Sequence, residues 1–258
     1  MAKKLLLFTD LDGCLLNKHD YDWRPAEHTL NRLADLGVPV IVATSKTASE
    51  VRALLDEIPI CPAPFIAENG GAIEWGPWQG NSDASENTGP SRTVILEILN
   101  SLTTRYRFRS FETLGISGVM KQTGLPLAEA RRALNRQCTE PLLWDDTDSQ
   151  LARFRAELDS NQLTLTRGGR FWHVAGRTSK GAALTKIVDE FGGEQTVVAA
   201  VGDSQIDQSM LDLADLPVGI RVNGTLSVRV SVPPGIIPES EGAAGWAEAV
   251  SEILDRIN

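Results

Sequence analysis

The 258-residue sequence predicts an α/β protein with a doubly wound, Rossmann-like parallel sheet and an inserted α+β region. Short, continuous apolar runs at residues 5–9 and 38–43 are typical of strands buried on both faces of a parallel sheet. A helical pattern follows each run, which gives the strand–helix alternation of this class. The alternation stops after about Gly76 and resumes at Lys180, and this break indicates an insertion.

Composition and charge restrict the partners. Hydrophobic residues make up 42% of the chain and charged residues 23%, as in ordinary globular proteins, and no apolar run reaches membrane length. The net charge of −9 argues against a nucleic acid or an anionic membrane as the main partner. Cys14, Cys61 and Cys138 are odd in number and lack metal-site spacing, which suits a reducing compartment. We therefore expect a cytoplasmic protein with a small-molecule substrate, whose oligomeric state the sequence does not indicate.

The first unit begins with a strand at residues 5–9 that ends in Asp10 and Asp12. Period two along an extended chain would put both carboxylates on one side, and Gly13 would allow a sharp turn after them. The further elements expected here are a helix from Pro25 to Gly37, a strand at 38–43, a helix begun by the capping box of Thr47 and Glu50, a strand at 65–67 and a loop at 76–91.

The inserted region has its own alternation of helices and strands. Its expected helices are at 94–102, around Val119, at 127–136 and at 151–158, and its expected strands are near 107–111, 142–144, 163–167 and 171–175. Gly168 and Gly169 predict a hairpin turn between the last two strands. The final unit is expected to contain a helix at 180–191 capped by Ser179, a strand at 196–201, a helix at 209–214, a strand at 217–222 and a helix at 244–257. The predicted division is 1–85, 86–176 and 177–258.

Polar residues with complementary chemistry lie at the ends of the predicted core elements, namely Asp10, Asp12, Thr44, Lys180 and Asp203. The carboxyl ends of parallel strands share the sheet edge where ligands bind. Carboxylates can hold Mg²⁺ and supply a nucleophile, while a hydroxyl and an ammonium group can bind phosphoryl oxygens. Each residue alone has an ordinary structural explanation, such as a helix cap or a solvated lysine. Their joint placement favours a site for metal-assisted phosphoryl transfer.

Four motifs in order, DLDG, ATSK, TSKG and GDSQID, resemble the haloacid dehalogenase superfamily. The insertion between the second and third motifs resembles the Cof-type subclass, which has a large C2-type α/β cap. Three further segments, ENGG at 68–71, RRALNRQCTEPLLW at 131–144 and RGGRFWH at 167–173, resemble the mannosyl-3-phosphoglycerate phosphatase family. The resemblance covers nearly the whole chain and implies the fold described above.

This resemblance also implies residue roles. Asp10 would attack phosphorus to form an aspartyl phosphate, and Asp12 would protonate the leaving oxygen and then activate water. Thr44 and Lys180 would bind the phosphoryl group. Mg²⁺ would be held by Asp10, the carbonyl of Asp12, and Asp203, with Asp207 supporting its water shell. Substrate contacts are implied for Ser45, Lys46, Glu68, Asn69, Gly70, Gly169, Arg170 and His173.

Two positions depart from the family pattern. Ile206 stands where the family usually has an asparagine, and an isoleucine cannot bind Mg²⁺ or its water. Gln205 or Asp207 could compensate. Cys14 replaces the usual threonine, a milder change because this position mainly packs the loop.

The expected function is Mg²⁺-dependent hydrolysis of mannosyl-3-phosphoglycerate to mannosylglycerate and phosphate, a step of mannosylglycerate biosynthesis. Glucosyl-3-phosphoglycerate and other sugar phosphates stay open as substrates, because the cap sequence does not separate them. A non-catalytic protein that binds a phosphorylated ligand on the same fold also stays open. Ile206 is the one feature that favours it.

Overall fold

Three β-sheets and the helices packed on them make up the part of the chain that the computed structural model describes, residues 4–76, 84–168 and 170–257. The strands are β1 (Lys4–Thr9), β2 (Val40–Val42), β3 (Phe65–Ala67), β4 (Ala72–Glu74), β5 (Ser85–Asn87), β6 (Phe108–Ser110), β7 (Thr139–Trp144), β8 (Leu163–Arg167), β9 (Trp172–Gly176), β10 (Thr196–Gly202) and β11 (Leu216–Gly219). The α-helices are α1 (Glu27–Asp35), α2 (Ala48–Leu55), α3 (Arg92–Leu102), α4 (Phe111–Thr123), α5 (Leu127–Leu134), α6 (Asp148–Ser160), α7 (Lys180–Phe191), α8 (Gln208–Leu211) and α9 (Gly242–Ile257).

The first sheet is parallel and has the strand order β11-β10-β1-β2. Successive residues of β1 point to opposite faces. Leu7 packs with residues of α1 and α9 on one face, and Phe8 packs with residues of α7 on the other. A parallel bridge between Ala43 and Ile66 places β3 beside β2. The predicted doubly wound α/β architecture is confirmed.

Local capping signals set the helix starts that matter for the site. The Ser179 side chain accepts a hydrogen bond from the Ala182 N–H, and α7 begins at Lys180 as the sequence predicts. Thr47 and Glu50 form the expected capping box at the start of α2. None of the described helices is both long enough and apolar enough to cross a membrane.

The inserted region contains an antiparallel sheet with the order β6-β7-β9-β8. Its own apolar core includes Ile95, Leu142, Phe154 and Val174. The predicted hairpin pairing of the last two strands is confirmed by the register Arg167 to Trp172. Gly169, half of the predicted turn, lies outside the described residues, and the division at 85/86 and 176/177 stays a prediction.

Several elements differ from the prediction. Residues 72–74, which the sequence assigned to no element, pair as strand β4 with the antiparallel strand β5 at 85–87, inside the predicted loop. Residues 77–83 lie outside the described residues. The Ser-Glu-Asn sequence of β5 has no apolar alternation to reveal it. Helix α4 is longer than predicted and begins at Phe111, because the Ser110 hydroxyl accepts the Thr113 N–H and ends the strand there. β2 is shorter than the predicted strand.

Candidate active site

A lysine lies between two aspartates at the carboxyl edge of the parallel sheet. The Nζ of Lys180 is 2.6 Å from Asp10 Oδ1 and 2.5 Å from Asp207 Oδ1, and all three residues are buried. Burial alone would lower the pKa of Lys180, but the two carboxylates outweigh it and raise that pKa. Lys180 is therefore a fixed positive charge that holds two elements of the site together.

The sheet explains why these residues meet. Asp10 directly follows β1, and its backbone N–H donates to the Val201 carbonyl of β10 at 2.9 Å. Thr9 fixes the strand end, since its hydroxyl donates to the Asp10 carbonyl and accepts the indole N–H of the buried Trp246. Lys180, as the first residue of α7, reaches this edge from one face of the sheet.

Negative charge is concentrated around Asp10. Burial raises the pKa of Asp10 to about 7; Lys180 opposes this increase, and three nearby carboxylates add to it. The closely placed carboxylates belong to Asp10, Asp12, Asp203 and Asp207. Lys180 balances only part of this charge, so the remaining carboxylates favour further cations at the site.

Asp207 holds the loop that carries Asp203. Its Oδ2 accepts hydrogen bonds from the Asp203 N–H at 3.2 Å, the Ser204 N–H at 2.9 Å and the Ser204 hydroxyl at 2.7 Å. Burial would raise the pKa of Asp207, but Lys180 and Ser204 lower it, so the carboxylate stays ionised. Both oxygens are thus engaged by protein groups, and the expected support of a metal's water shell by Asp207 stays a prediction.

The ligand atoms of Asp10, Cys14 and Asp203 lie within 4.8 Å of one another, which makes them the candidate metal group among the described residues. Mg²⁺ selects oxygen ligands. Burial and the nearby carboxylates of Asp10 and Asp203 raise the pKa of the Cys14 thiol well above its ordinary value, and a neutral thiol is a poor partner for a cation that prefers oxygen. The carboxylates of Asp10 and Asp203 and the carbonyl of Asp12 form a set of oxygen atoms that fits Mg²⁺. The Asp12 carbonyl already accepts a hydrogen bond from an ammonium group. Ile206 contributes no donor to this set.

The ammonium group that donates a hydrogen bond to the Asp12 carbonyl belongs to Lys18. Its Nζ is 3.1 Å from that carbonyl oxygen and 3.3 Å from Asp203 Oδ2. Gly13 makes the approach to Asp203 feasible, because its φ is +102° and a Cβ at this position would lie 2.6 Å from Asp203 Oδ2. The turn that the sequence predicted at Gly13 is therefore also a steric requirement of the site.

The Asp12 side chain has a different partner from that of Asp10. Lys46 Nζ is 2.9 Å from Asp12 Oδ1, and the ammonium also lies 5.1 Å from the centre of the Tyr21 ring. Burial would lower the pKa of Lys46, but Asp12 and Glu50 outweigh it and raise that pKa. Asp10 and Asp12 therefore have different cationic partners, Lys180 and Lys46.

Thr44 follows β2 and is buried. Its N–H donates to the Ile66 carbonyl at 2.9 Å, its carbonyl accepts the Asn69 N–H at 2.8 Å, and its hydroxyl accepts the Lys46 N–H at 3.2 Å. The neighbouring Ser45 carbonyl accepts a guanidinium N–H of Arg136, from the inserted region, at 3.3 Å. The loop at residues 44–46, where the sequence predicted phosphoryl and substrate contacts, is thus held by bonds to residues 66 and 69 and by a bond to the inserted region.

The Glu68-Asn69-Gly70 turn connects the parallel sheet to the inserted region. All three residues have positive φ, at 52°, 59° and 94°. The buried Glu68 carboxylate accepts the Gln137 N–H at 2.7 Å, the Cys138 N–H at 3.0 Å and the Thr139 hydroxyl at 2.6 Å. A Cβ on Gly70 would lie 2.2 Å from the Ser179 carbonyl oxygen. Glu68 and Gly70 therefore have structural tasks, and their predicted substrate contacts stay predictions.

Three further side chains were predicted to face the substrate. Asn69 Oδ1 and His173 Nδ1 are buried and have no hydrogen-bond partner among the described residues. Burial, with a smaller contribution from the charge of Arg136, lowers the pKa of His173 to about 3. Arg170 is exposed and its guanidinium donates to the Gln122 carbonyl at the end of α4. Gly169 lies outside the described part of the chain.

Sequence reasoning missed two cations, Lys18 and Arg136. Lys18 lies in the polar run after β1, where no periodicity marks one residue above its neighbours. Arg136 belongs to a segment with Arg131 and Arg132, and only the fold shows which of the three reaches Ser45. The lone signal for either residue was its closeness to a motif.

The chain matches a family of known proteins over most of its length. Residues 7–123 and 120–225 match the sequence profile of haloacid dehalogenase-like hydrolases. The chain therefore belongs to this hydrolase family.

Solved structures share the fold across the whole chain. A Thermoplasma acidophilum protein has a TM-score of 0.68 at 16% identity, with 100% of this chain and 99% of that one covered. A phosphatase of the haloalkanoate superfamily from Bacteroides thetaiotaomicron has a TM-score of 0.67 at 18% identity, with 99% and 95% covered. The sucrose-phosphatase of Synechocystis, solved with sucrose and phosphate, has a TM-score of 0.58 at 14% identity, with 99% and 98% covered. These likenesses concern the fold alone.

Proposed function

We propose that this hydrolase is a phosphatase that cleaves a phosphorylated sugar acid through an aspartyl phosphate on Asp10. The observation that supports this most is the buried Lys180 between Asp10 and Asp207, beside the oxygen set of Asp10 and Asp203. A buried lysine held this tightly favours an ionised Asp10 and provides a charge for phosphoryl oxygens. A purely structural ion pair would not need a second group of carboxylates next to it.

The proposed reaction has two steps. A carboxylate oxygen of Asp10 attacks phosphorus, and the bond from phosphorus to the leaving oxygen breaks as Asp12 gives that oxygen a proton. Asp12 then takes a proton from water, the water oxygen attacks the phosphorus of the aspartyl phosphate, and the carboxylate of Asp10 is released with phosphate. Thr44 and Lys180 bind the phosphoryl oxygens throughout. Mg²⁺ bound to Asp10, the Asp12 carbonyl and Asp203 would neutralise charge on these oxygens.

The two partners of Asp12 suit its proposed task. Its carboxylate faces Lys46, which is partly exposed, whereas Asp10 faces the buried Lys180. An acid and base must exchange protons with the leaving group and water, and the more open surroundings of Asp12 allow this. A nucleophilic carboxylate must be deprotonated when it attacks, and the fixed positive charge of Lys180 favours the ionised form of Asp10.

The substrate that we propose is mannosyl-3-phosphoglycerate, with glucosyl-3-phosphoglycerate as the alternative. The support is the resemblance of the segments at 68–71, 131–144 and 167–173 to phosphatases of the former compound. Two of these segments contain Asn69 Oδ1 and His173 Nδ1, which have no hydrogen-bond partner among the residues that the structure describes. An amide oxygen and an imidazole whose pKa is lowered by burial are suited to hydrogen bonds with sugar hydroxyls. Arg170 would face the glycerate carboxylate on release of its bond to Gln122.

A phosphate-release assay on a panel of compounds tests this proposal. The panel contains both phosphoglycerates, sucrose 6-phosphate, glucose 6-phosphate and p-nitrophenyl phosphate, each with Mg²⁺ and with excess chelator. We expect release only with Mg²⁺, and a kcat/KM for the mannosyl compound at least about tenfold above that for sugar phosphates without a carboxylate. Similar values across the panel would remove the assignment of a sugar acid.

A non-catalytic binding protein would give a different result. It would bind phosphorylated sugars in calorimetry without releasing phosphate from any of them. Asp10→Asn is the matched control, since it keeps the shape of the side chain and removes the nucleophile. Equal phosphate release by the wild type and a folded Asp10→Asn variant would exclude the aspartyl phosphate.

A further inference from the structure

We propose that Lys18 is a built-in competitor for the metal, which holds two of the proposed metal ligands until a divalent cation displaces it. The inference rests on the metal site of the proposed function and concerns a residue that neither the motifs nor the family resemblance single out. Lys18 would make the affinity of the free protein for Mg²⁺ lower than the oxygen set alone would give.

The geometry of Lys18 supports this. Its ammonium nitrogen is within hydrogen-bond distance of both the Asp12 carbonyl oxygen, at 3.1 Å, and Asp203 Oδ2, at 3.3 Å. Asp203 is 5% exposed, so its charge is largely removed from water and needs a positive partner. Lys18 supplies that partner through a flexible four-carbon chain.

The same atoms cannot serve both cations. An ammonium group and a divalent ion that share two oxygen atoms a few ångströms away repel each other strongly in a partly buried site. Binding of Mg²⁺ to Asp203 and the Asp12 carbonyl therefore requires that Lys18 leave. The loss of its ion pair with Asp203 reduces the net affinity for the metal.

Lys18 has room to leave. Lys18 lines an open cleft together with Asp20, Arg221 and Glu241. Two of these residues, Asp20 and Glu241, are acidic, so the cleft also contains negative charge besides that of the site. The side chain of Lys18 is 44% exposed, so its movement needs no change in packing of the core.

Lys46 offers a matched comparison within the site. It pairs with the Asp12 carboxylate at 2.9 Å, whereas Lys18 bonds the carbonyl oxygen of the same residue. Removal of either lysine takes one positive charge from the neighbourhood of Asp12. Only removal of Lys18 frees proposed metal ligands. Lys186, which pairs with Glu86 on the surface, gives the baseline for the loss of a lysine elsewhere.

The test is calorimetric titration of the full chain with Mg²⁺ and without substrate, for the wild type, Lys18→Met, Lys46→Met and Lys186→Met. We expect Lys18→Met to lower the Kd for Mg²⁺ by about tenfold or more, the scale of changes next to metal ligands. Lys46→Met should lower it clearly less, and Lys186→Met should leave it within about twofold of the wild type. Urea unfolding of each variant checks the fold, and Lys18→Gln replaces Lys18→Met if the latter is unstable.

Three outcomes contradict the proposal. An unchanged or higher Kd in Lys18→Met would show that Lys18 does not compete. Equal tightening in Lys18→Met and Lys46→Met would show that only the loss of a nearby charge matters. Mg²⁺ binding to neither the wild type nor Lys18→Met would contradict the proposed metal site as well, whereas the first two results leave that site intact.

Discussion

At the scale of single residues, Lys180 separates two buried carboxylates that would otherwise repel each other. It is 2% exposed, and its partners Asp10 and Asp207 are 7% and 0% exposed. Because little of the cluster is open to solvent, the ammonium group provides most of its charge balance. The same residue therefore has a structural task and a proposed catalytic one.

Replacement of Lys180 by methionine should be strongly destabilising. The variant leaves Asp10 and Asp207 buried without their cation, and the loss of one partner from a buried ion pair costs about 3–5 kcal/mol. Urea unfolding measures this change. The control is Lys186→Met, which removes an exposed pair and should cost at most about 1 kcal/mol. A loss for Lys180→Met as small as that of the control would mean that water reaches the cluster.

His173 should make the protein less stable in acid. Burial lowers the pKa of its folded-state imidazole to about 3 from an ordinary value of 6.5. Between these values the unfolded chain binds a proton that the folded protein does not, so stability falls as the pH falls below 6.5. From pH 7 to pH 5 we expect a loss of about 1–2 kcal/mol from this residue.

The variant His173→Gln removes this contribution. Its free energy of unfolding should depend less on pH between 7 and 5 than that of the wild type. His28→Gln, at an exposed position of α1, should keep the wild-type dependence. Parallel curves for the wild type and His173→Gln would show that His173 binds protons equally in both states.

The sequence predicted some residues of the site better than others. Asp10, Lys180 and Asp203 could be placed together, because each follows or begins an element with a strong apolar pattern. Lys18 could not be placed, since a lysine in a polar loop has no periodic signal and a long side chain. The partners of Glu68 were equally hidden, because they lie about 70 residues away.

At the scale of elements, Glu68 ties the end of β3 to the segment that leads into β7. Its carboxylate accepts two backbone N–H groups and one hydroxyl from residues 137–139. These bonds stabilise a residue with positive φ, which is unfavourable for glutamate. The parallel sheet and the inserted region are therefore joined by more than the chain itself.

Glu68→Gln should loosen this connection. A glutamine side chain offers one acceptor oxygen, and its NH₂ group would face an N–H or hydroxyl donor. Hydrogen exchange of the Gln137 and Cys138 amides should accelerate by about tenfold, since a lost hydrogen bond to a charged group costs about 1.5–3 kcal/mol. Glu86→Gln, on the exposed strand β5, is the control and should leave these rates unchanged. Unchanged exchange in Glu68→Gln would show that other contacts hold the segment.

Elements with strong local signals were predicted well, and those that depend on partners were not. Helix α7 matches its prediction because Ser179 caps its start and its apolar face is complete. Strands β4 and β5 were missed because they are three residues long and their stability comes from pairing with each other. The start of α4 was misplaced because the predicted strand extended through Phe111, whereas the Ser110 cap makes Phe111 the first residue of the helix.

At the scale of the whole molecule, several positively charged side chains lie at one edge of the parallel sheet, although the chain has a net charge of −9. Lys18, Lys46 and Lys180 all pair with aspartates there, and Arg136 reaches the same edge from the inserted region. A small phosphorylated compound can enter such a site, whereas an extended polyanion would meet the negative remainder of the surface. This distribution agrees with a phosphatase of small molecules.

The covalent step on Asp10 is the central claim, and chemical trapping tests it most directly. The protein is mixed with excess p-nitrophenyl phosphate and Mg²⁺, quenched during turnover, and treated with borohydride, which reduces an acyl phosphate to an alcohol. Peptide mass spectrometry should then find homoserine at position 10, and none in samples without substrate. Release of phosphate with an unmodified Asp10, or with the modification at another carboxylate, would contradict the account.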